Sequence, residues 1–363
     1  MEDSAPCLSE RPGRFFGRTD WLAFWTVFAV ALIVYTITLA PTVTLEMCGV
    51  MAVGADSLGV PHPPGFPIWT LTAWCFTKLF AFVTYRGQPN PAWAIAFASA
   101  FFSSLAAATM ALLACRSGAD LLRSLFRESQ ALDERSRGLL CWAGAVAGSL
   151  LFAFTSTNWS QSVIGEVYAL NSFLFAAIMA LAYRWLSRPD TRSLVMLNLV
   201  FGLSLTNYQF LVLMFPALAA LVFLKAPSLF RDFAIAMAPC VLIFLLMAKG
   251  LLPPIHPLHV TGSVYLSLNF VVLLLTYFLL PNGRAVALSL LAFEASLLLY
   301  GYLPLSSETN PPINWAYTRT WEGFLHCIQR GQYERIVPTP IFSCHFVYQL
   351  GDYLSDMRAQ FTL

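Results

Sequence analysis

The chain has 363 residues, of which 58% are hydrophobic and 11% charged, and its 21 Lys and Arg against 19 Asp and Glu leave a net charge of +2. Soluble domains carry about 25% charged residues, so this composition excludes an ordinary soluble globule, and so small a net charge gives no electrostatic ground for a nucleic-acid partner. What remains is an all-α, polytopic membrane protein, since in lipid a helix satisfies its own backbone hydrogen bonds.

A helix needs about 20 apolar residues to cross the hydrocarbon core. Residues 1–20 form a cytoplasmic N-terminus with Arg11, Arg14 and Arg18, and the first apolar run, near 21–40, lacks a small-residue cleavage site and reads as an uncleaved anchor. An outer loop, 41–66, leads into LGVPHPPGFPIW at residues 58–69, with four prolines, two glycines and a histidine in twelve residues. Proline fixes φ, so this turn is stiff and costs little further entropy to order.

Residues 67–83, PIWTLTAWCFTKLFAFV, carry Lys78 and three threonines. If they crossed, the next loop, with Arg116, Arg123, Arg127, Arg135 and Arg137, would lie outside, against the preference of short cytoplasmic loops for Lys and Arg. Placed along the outer interface as an amphipathic helix, they put that loop and those holding Arg184, Arg188, Arg192, Lys225, Arg231 and Arg284 on the cytoplasmic side. Further spans are expected near 92–115, 139–157, 168–186, 233–252, 264–280 and 285–303. TNYQ, at Thr206–Gln209, breaks the run between 194 and 225 into two short antiparallel helices, for about nine spans within 21–303. Residues 304–363 form an outer-face C-terminal segment, expected to be a truncated one. The eight cysteines show no C-x-x-C or Cys/His spacing, so neither a metal site nor a cofactor is expected.

This topology gathers the polar, proline-rich and aromatic-rich stretches on one face of the bundle. In chain order, LGVPHPPGFPIW, NWSQSVIGEVYALN and NPPINWAYTRTWEGFLHCIQRGQY resemble a family of multi-pass proteins with an LGV-x-HPPG-x-P signature, of the GT-C glycosyltransferase class and including a transmembrane protein O-mannosyltransferase. The resemblance covers the chain from about residue 35 onward. It implies a GT-C-like helical bundle that passes a sugar, mannose in the O-mannosyltransferase, from a polyprenyl-phosphate carrier to a protein or glycan hydroxyl on the outer face. It implies a bacterial plasma membrane, or the endoplasmic reticulum for a eukaryotic source.

One departure bears on activity. Where the family reads Asp-x-Gly-Glu, this chain has MCGV, so Met47 and Val50 stand at the positions of two carboxylates. A general base must be a proton acceptor within hydrogen-bond reach, which a thioether is not. Glu46 and Asp56 are the nearest substitutes, and Glu46 is the better placed, because nine residues separate Asp56 from position 47 and put it on a different side of the helix. The alternatives are a catalytically inactive GT-C-like protein and a transporter of lipid-linked sugar, although no internal repeat is visible.

Other candidates have two readings each. His62 either orients a sugar phosphate or holds its own turn. Glu166 either binds acceptor or sugar, or caps the outer end of the fourth span. Lys249, Arg319 and Arg330 either meet a phosphodiester or anchor the chain at the interface. Trp315 and Trp321 either stack on sugar or belong to an aromatic belt. Glu294, mid-span, is expected to be protonated or turned into the bundle.

Overall fold

The computed structural model describes residues 15–125, 133–254, 256, 260–333 and 337–361, so Arg11, Arg14, Arg127 and most of the PPIHPLH loop lie outside the described residues. The first helix, α1 (Arg18–Ile37), starts where the Asp20 carboxylate accepts the Gly17 amide at 2.8 Å. Two short helices follow, α2 (Cys48–Asp56) and α3 (Pro67–Leu79), then a two-stranded hairpin, Thr84–Tyr85 with Gln88–Pro89. The bundle continues with α4 (Pro91–Leu125), α5 (Glu134–Ala153), α6 (Ser156–Ser162), α7 (Tyr168–Ser187), α8 (Thr191–Asn207), α9 (Phe215–Lys225) and α10 (Pro227–Ala248). It closes with α11 (Val260–Leu279), α12 (Gly283–Leu297), α13 (Tyr302–Glu308), α14 (Trp321–Ile328) and α15 (Cys344–Phe361).

Local chemistry sets the helix starts. Pro67, Pro91 and Pro227 each open a helix, where a missing N–H costs nothing. Asp133 and Asp190 cap α5 and α8 by accepting the amides of Ser136 and Ser193. Among the described residues seven helices are long and apolar enough to cross a membrane: α1, α4, α5, α7, α10, α11, and α12 continued through a 3-10 turn into α13. The 17-residue α8 and the shorter apolar pair made by the 3-10 turn Gln209–Met214 with α9 flank a break at Tyr208, where the backbone is extended, at the TNYQ interruption. The molecule is thus an all-α, polytopic membrane protein. α3, at 13 residues, is about 20 Å long and shorter than the roughly 30 Å hydrocarbon core.

At 35 residues α4 is the central post, and α1, α3, α5 and α7 pack around it. Its buried face is mostly alanine and serine, small side chains that let neighbouring backbones come close.

Contacts sort the connections into two ends. At one, Tyr183 at the end of α7 donates to Asp120 near the end of α4 at 2.8 Å, and the Arg116 and Arg188 guanidiniums lie over the Phe15 ring. Trp185, Leu194, Leu229 and Val286 bring the starts of α8, α10 and α12 into the same cluster, and Asp232 accepts the backbone and side-chain amides of Asn282. At the other end Tyr35 donates to the Ala153 carbonyl, Asn90 to the Pro41 carbonyl, and Trp159 to Thr38. There too the Gln360 carbonyl oxygen, from α15, accepts from Ser156 and the Thr157 amide. The arginine-rich connections share the first end. The proline turn and the segments on either side of α6 share the second.

Candidate functional site

The proline turn is held from outside its own sequence neighbourhood. Val60 and Asn314 form a parallel bridge, with the Val60 amide donating to Ile313 at 2.9 Å and the Trp315 amide donating to Val60 at 3.0 Å. Tyr302 donates to the Gly59 carbonyl at 2.9 Å and Ser306 to the Leu58 carbonyl at 2.6 Å. Gly59 is required by this closeness, since a Cβ there would lie 2.5 Å from the Ile313 carbonyl oxygen. Gly65 has φ +94° and its Cβ would meet Leu303 at 2.4 Å, and the Pro63–Pro64 peptide is cis.

His62 sits at the crest of this turn. Its Nδ1 lies 2.9 Å from the Pro63 carbonyl oxygen, which can only accept, so Nδ1 carries the proton. Nε2 is then the acceptor for the Tyr333 hydroxyl at 2.5 Å, 271 positions along the chain. Burial pushes the imidazole below its usual range, against the opposing bond to Pro63, and the charge of Arg330 pushes the same way as burial. The neutral ring is therefore favoured, matching the hydrogen bonds. The ring stacks parallel to Phe66 and lies 5.5 Å from Trp315. The Arg330 guanidinium lies 4.5 Å from the centre of the Tyr333 ring and 5.8 Å from that of Phe210.

A pair of carboxyl groups forms the second part. Glu166, only 6% exposed, lies between α6 and α7, and the backbone amides of Val167 and of Met47, at the start of α2, favour its charged form. Its backbone is fixed as well: Trp69 donates to the Glu166 carbonyl at 3.1 Å, and Ser99 at 3.3 Å. Gly165 makes the close approach possible, since a Cβ there would lie 2.3 Å from Ile95. Burial raises the Glu166 carboxyl above the usual range, the two amides oppose this, and the charge of Glu46 adds to the rise. Glu46 itself is exposed, with φ +66°. A non-glycine residue is strained in that conformation, and such residues gather at functional sites. Phe66, Ala316, Tyr317 and Arg330, all in these loops, also have positive φ.

The structure thus puts Glu46 within electrostatic reach of Glu166, and brings His62 to Trp315 and to the Tyr333 ring over which Arg330 lies. The other candidates make different contacts. Asp56, at the far end of α2, pairs with Lys78 at 2.8 Å. Arg319 is exposed, hydrogen-bonds Asn310 and lies over the Tyr317 ring, both in its own segment. Trp321 stacks on Phe324 and lies 5.4 Å from His256. Lys249 is exposed at the end of α10. Met47 packs against the apolar cluster of Cys48, Ile95 and Val167, so a side chain at 47 lies next to Glu166. Glu294, on α12, accepts from Asn269 of α11 at 2.8 Å, away from these loops. Sequence reasoning missed Tyr333, Tyr168, Tyr208 and Phe210. Their signal was the tyrosine of GEVY, the tyrosine of TNYQ with the phenylalanine that follows it, and the last residue of IQRGQY.

A family model, the Protein O-mannosyl-transferase TMEM260 N-terminal domain, matches residues 48–230, a stretch that includes His62 and Glu166 and begins two residues after Glu46. Protein O-mannosyl-transferase TMEM260 of Mus musculus is 28% identical over 314 residues, covering 85% of this chain and 34% of that protein. Protein O-mannosyl-transferase tmem260 of Dictyostelium discoideum is 26% identical over 162 residues, 45% of this chain and 17% of that protein. The chain thus spans about a third of the mouse relative's length and less of the other. No solved structure matches it.

Proposed function

Because the chain belongs to the protein O-mannosyl-transferase TMEM260 N-terminal domain family, we propose that it is a glycosyltransferase. It moves a sugar, mannose, from a polyprenyl-phosphate carrier to a hydroxyl of a protein acceptor at the outer face of its membrane. The observation that carries this reading is the convergence of remote segments at one end of the bundle: Glu46 within electrostatic reach of Glu166, and His62 bonded to Tyr333, over whose ring Arg330 lies. The two relatives are eukaryotic, which favours the endoplasmic reticulum over a bacterial plasma membrane.

In the proposed reaction the acceptor oxygen bonds to the anomeric carbon as the bond from that carbon to the phosphate oxygen breaks. The hydroxyl proton passes to the Glu46 carboxylate, and the phosphate leaves on its lipid carrier. Arginine matches phosphate bidentately, so Arg330 is assigned the phosphate charge. Glu166, whose charged form the Met47 amide favours, is assigned to hold the start of α2, and with it Glu46. His62, neutral, accepts from Tyr333 and keeps the Arg330 segment against the turn.

A second reading, a binding protein with little catalysis, is favoured by Met47 and Val50, which stand where the resembling family has acids. A transfer assay with labelled polyprenyl-phosphate mannose in membranes separates the two. Met47→Asp with Val50→Glu should raise transfer by about 100 to 10,000-fold, the range typical of a positioned acid/base group. Glu46→Ala should abolish transfer by the parent chain. A parent that is fully active and indifferent to Glu46 would remove Glu46 as the base. A double variant that neither binds nor transfers the lipid-linked sugar would remove the glycosyltransferase reading.

A further inference from the structure

The carboxyl pair and Arg330 are joined by a row of aromatic rings that the reaction as written does not use. The Tyr168 and Tyr208 rings are 5.7 Å apart and nearly perpendicular; Tyr208 and Phe210 are 5.4 Å apart and tilted by 34°. Arg330 follows, 5.8 Å from Phe210. The two ring–ring steps fall in the range at which aromatic rings contact one another, about 4.5 to 7 Å, and the guanidinium step lies within the roughly 6 Å of a cation–π contact. At the other end, Tyr168 lies within electrostatic reach of both Glu46 and Glu166.

These rings are not covered by the protein itself. Tyr168 is 42% exposed and Phe210 40%, while Tyr208 is half-buried between them. The row is also braced: the Gln209 amide donates to the Ile328 carbonyl at 3.0 Å and to the Tyr300 hydroxyl at 3.2 Å, fixing the 208–210 turn against the segment that carries Arg330. An aromatic belt explains rings that ring the bundle at headgroup depth. It does not explain three consecutive rings that begin at two carboxyl groups, end at a guanidinium, and are tied down by a glutamine.

We propose that Tyr168, Tyr208 and Phe210 are a carbohydrate-stacking track that positions the sugar of the lipid-linked donor between Arg330 and Glu46. The inference rests on the glycosyltransferase reading and adds residues to it. A hexopyranose has an apolar C–H face that packs on an aromatic ring, and hydroxyl edges that carboxyl groups bind. A phosphodiester at its anomeric carbon requires a cation at one end of the track. Tyr168, Tyr208 and Phe210 are positioning residues here, not proton donors or acceptors.

The test is equilibrium binding to the full chain in lipid nanodiscs, using polyprenyl-phosphate mannose and sugar-free polyprenyl phosphate as separate probes. Phe210→Ala, at an exposed ring, should weaken the mannosyl lipid by about 10-fold, or about 1.4 kcal/mol, and leave the sugar-free lipid unchanged. Arg330→Gln should weaken both. Tyr208→Phe, which keeps the ring, should bind like the parent, whereas Tyr208→Leu should follow Phe210→Ala. If the parent binds the mannosyl lipid and Phe210→Ala binds it equally well, or loses both lipids alike, the track is refuted while the glycosyltransferase reading stands. If the parent binds neither lipid, both fail together.

Discussion

His62 and Glu166 are shifted in opposite directions by the same cause, burial, and this gives their contributions opposite pH dependences. An imidazole held below its unfolded value of about 6.5 takes up its proton later in the folded chain than in the unfolded one. Its contact with Tyr333 is therefore at full strength above that value and loses stability as pH falls through it. A carboxyl held above its unfolded value behaves in reverse: the folded state keeps its proton longer, and stability declines as pH rises from the ordinary carboxylate range through the folded value. We expect thermal stability in detergent to fall on acidification below about pH 6.5. His62→Gln should flatten that fall, and Glu166→Gln should remove the opposing trend, which begins in the ordinary carboxylate range. A His62→Gln protein with the parent's slope would show that the imidazole keeps its ordinary affinity for protons in the folded chain.

At the scale of elements the site depends on a clamp rather than on a rigid helix. The turn after α2 has few local bonds, and its place is set by α13 and by residues 313–315. Gly65 packs directly on Leu303 of α13, so Gly65→Ala combines an unfavourable φ with a clash at 2.4 Å. Gly87, in the hairpin, has φ +77° but open space around its Cβ position, so Gly87→Ala carries only the backbone strain. Thermal unfolding should show Gly65→Ala losing more than Gly87→Ala, by about 1 to 3 kcal/mol, the usual cost of overpacking. Equal losses would mean that Leu303 moves aside freely. The same clamp explains what the sequence showed and what it hid. Long helices announce themselves by unbroken hydropathy, and TNYQ announced its break because polar side chains interrupt that run. Asp56 was legible as lying on the other side of α2 from position 47, and it is held there by Lys78. The Val60–Asn314 bridge and the His62–Tyr333 bond join segments more than 240 positions apart, and no local pattern encodes such a pairing. Tyr208 and Phe210 were hidden differently: with 30 Phe, 13 Tyr and 10 Trp in the chain, any single ring reads as bilayer contact until its neighbours are known.

For the whole molecule, the two ends defined by contacts give the topology a physical basis. The seven long apolar helices, with α8 and the Gln209–Lys225 pair, make nine crossings if α3 stays at the surface. With that count, each arginine-rich connection falls at the end marked by Asp120, Trp185 and Asp232, and each part of the candidate site falls at the other. If α3 crossed instead, a helix about 20 Å long would have to span a core of about 30 Å, with Lys78 drawn away from Asp56. Short basic loops remain on the cytoplasmic side, so the arginine-rich end is assigned there and the site to the outer face. Reporter fusions check the assignment: one placed after Arg86 should behave as external and one after Arg127 as cytoplasmic. The opposite pair would overturn this assignment of the two ends.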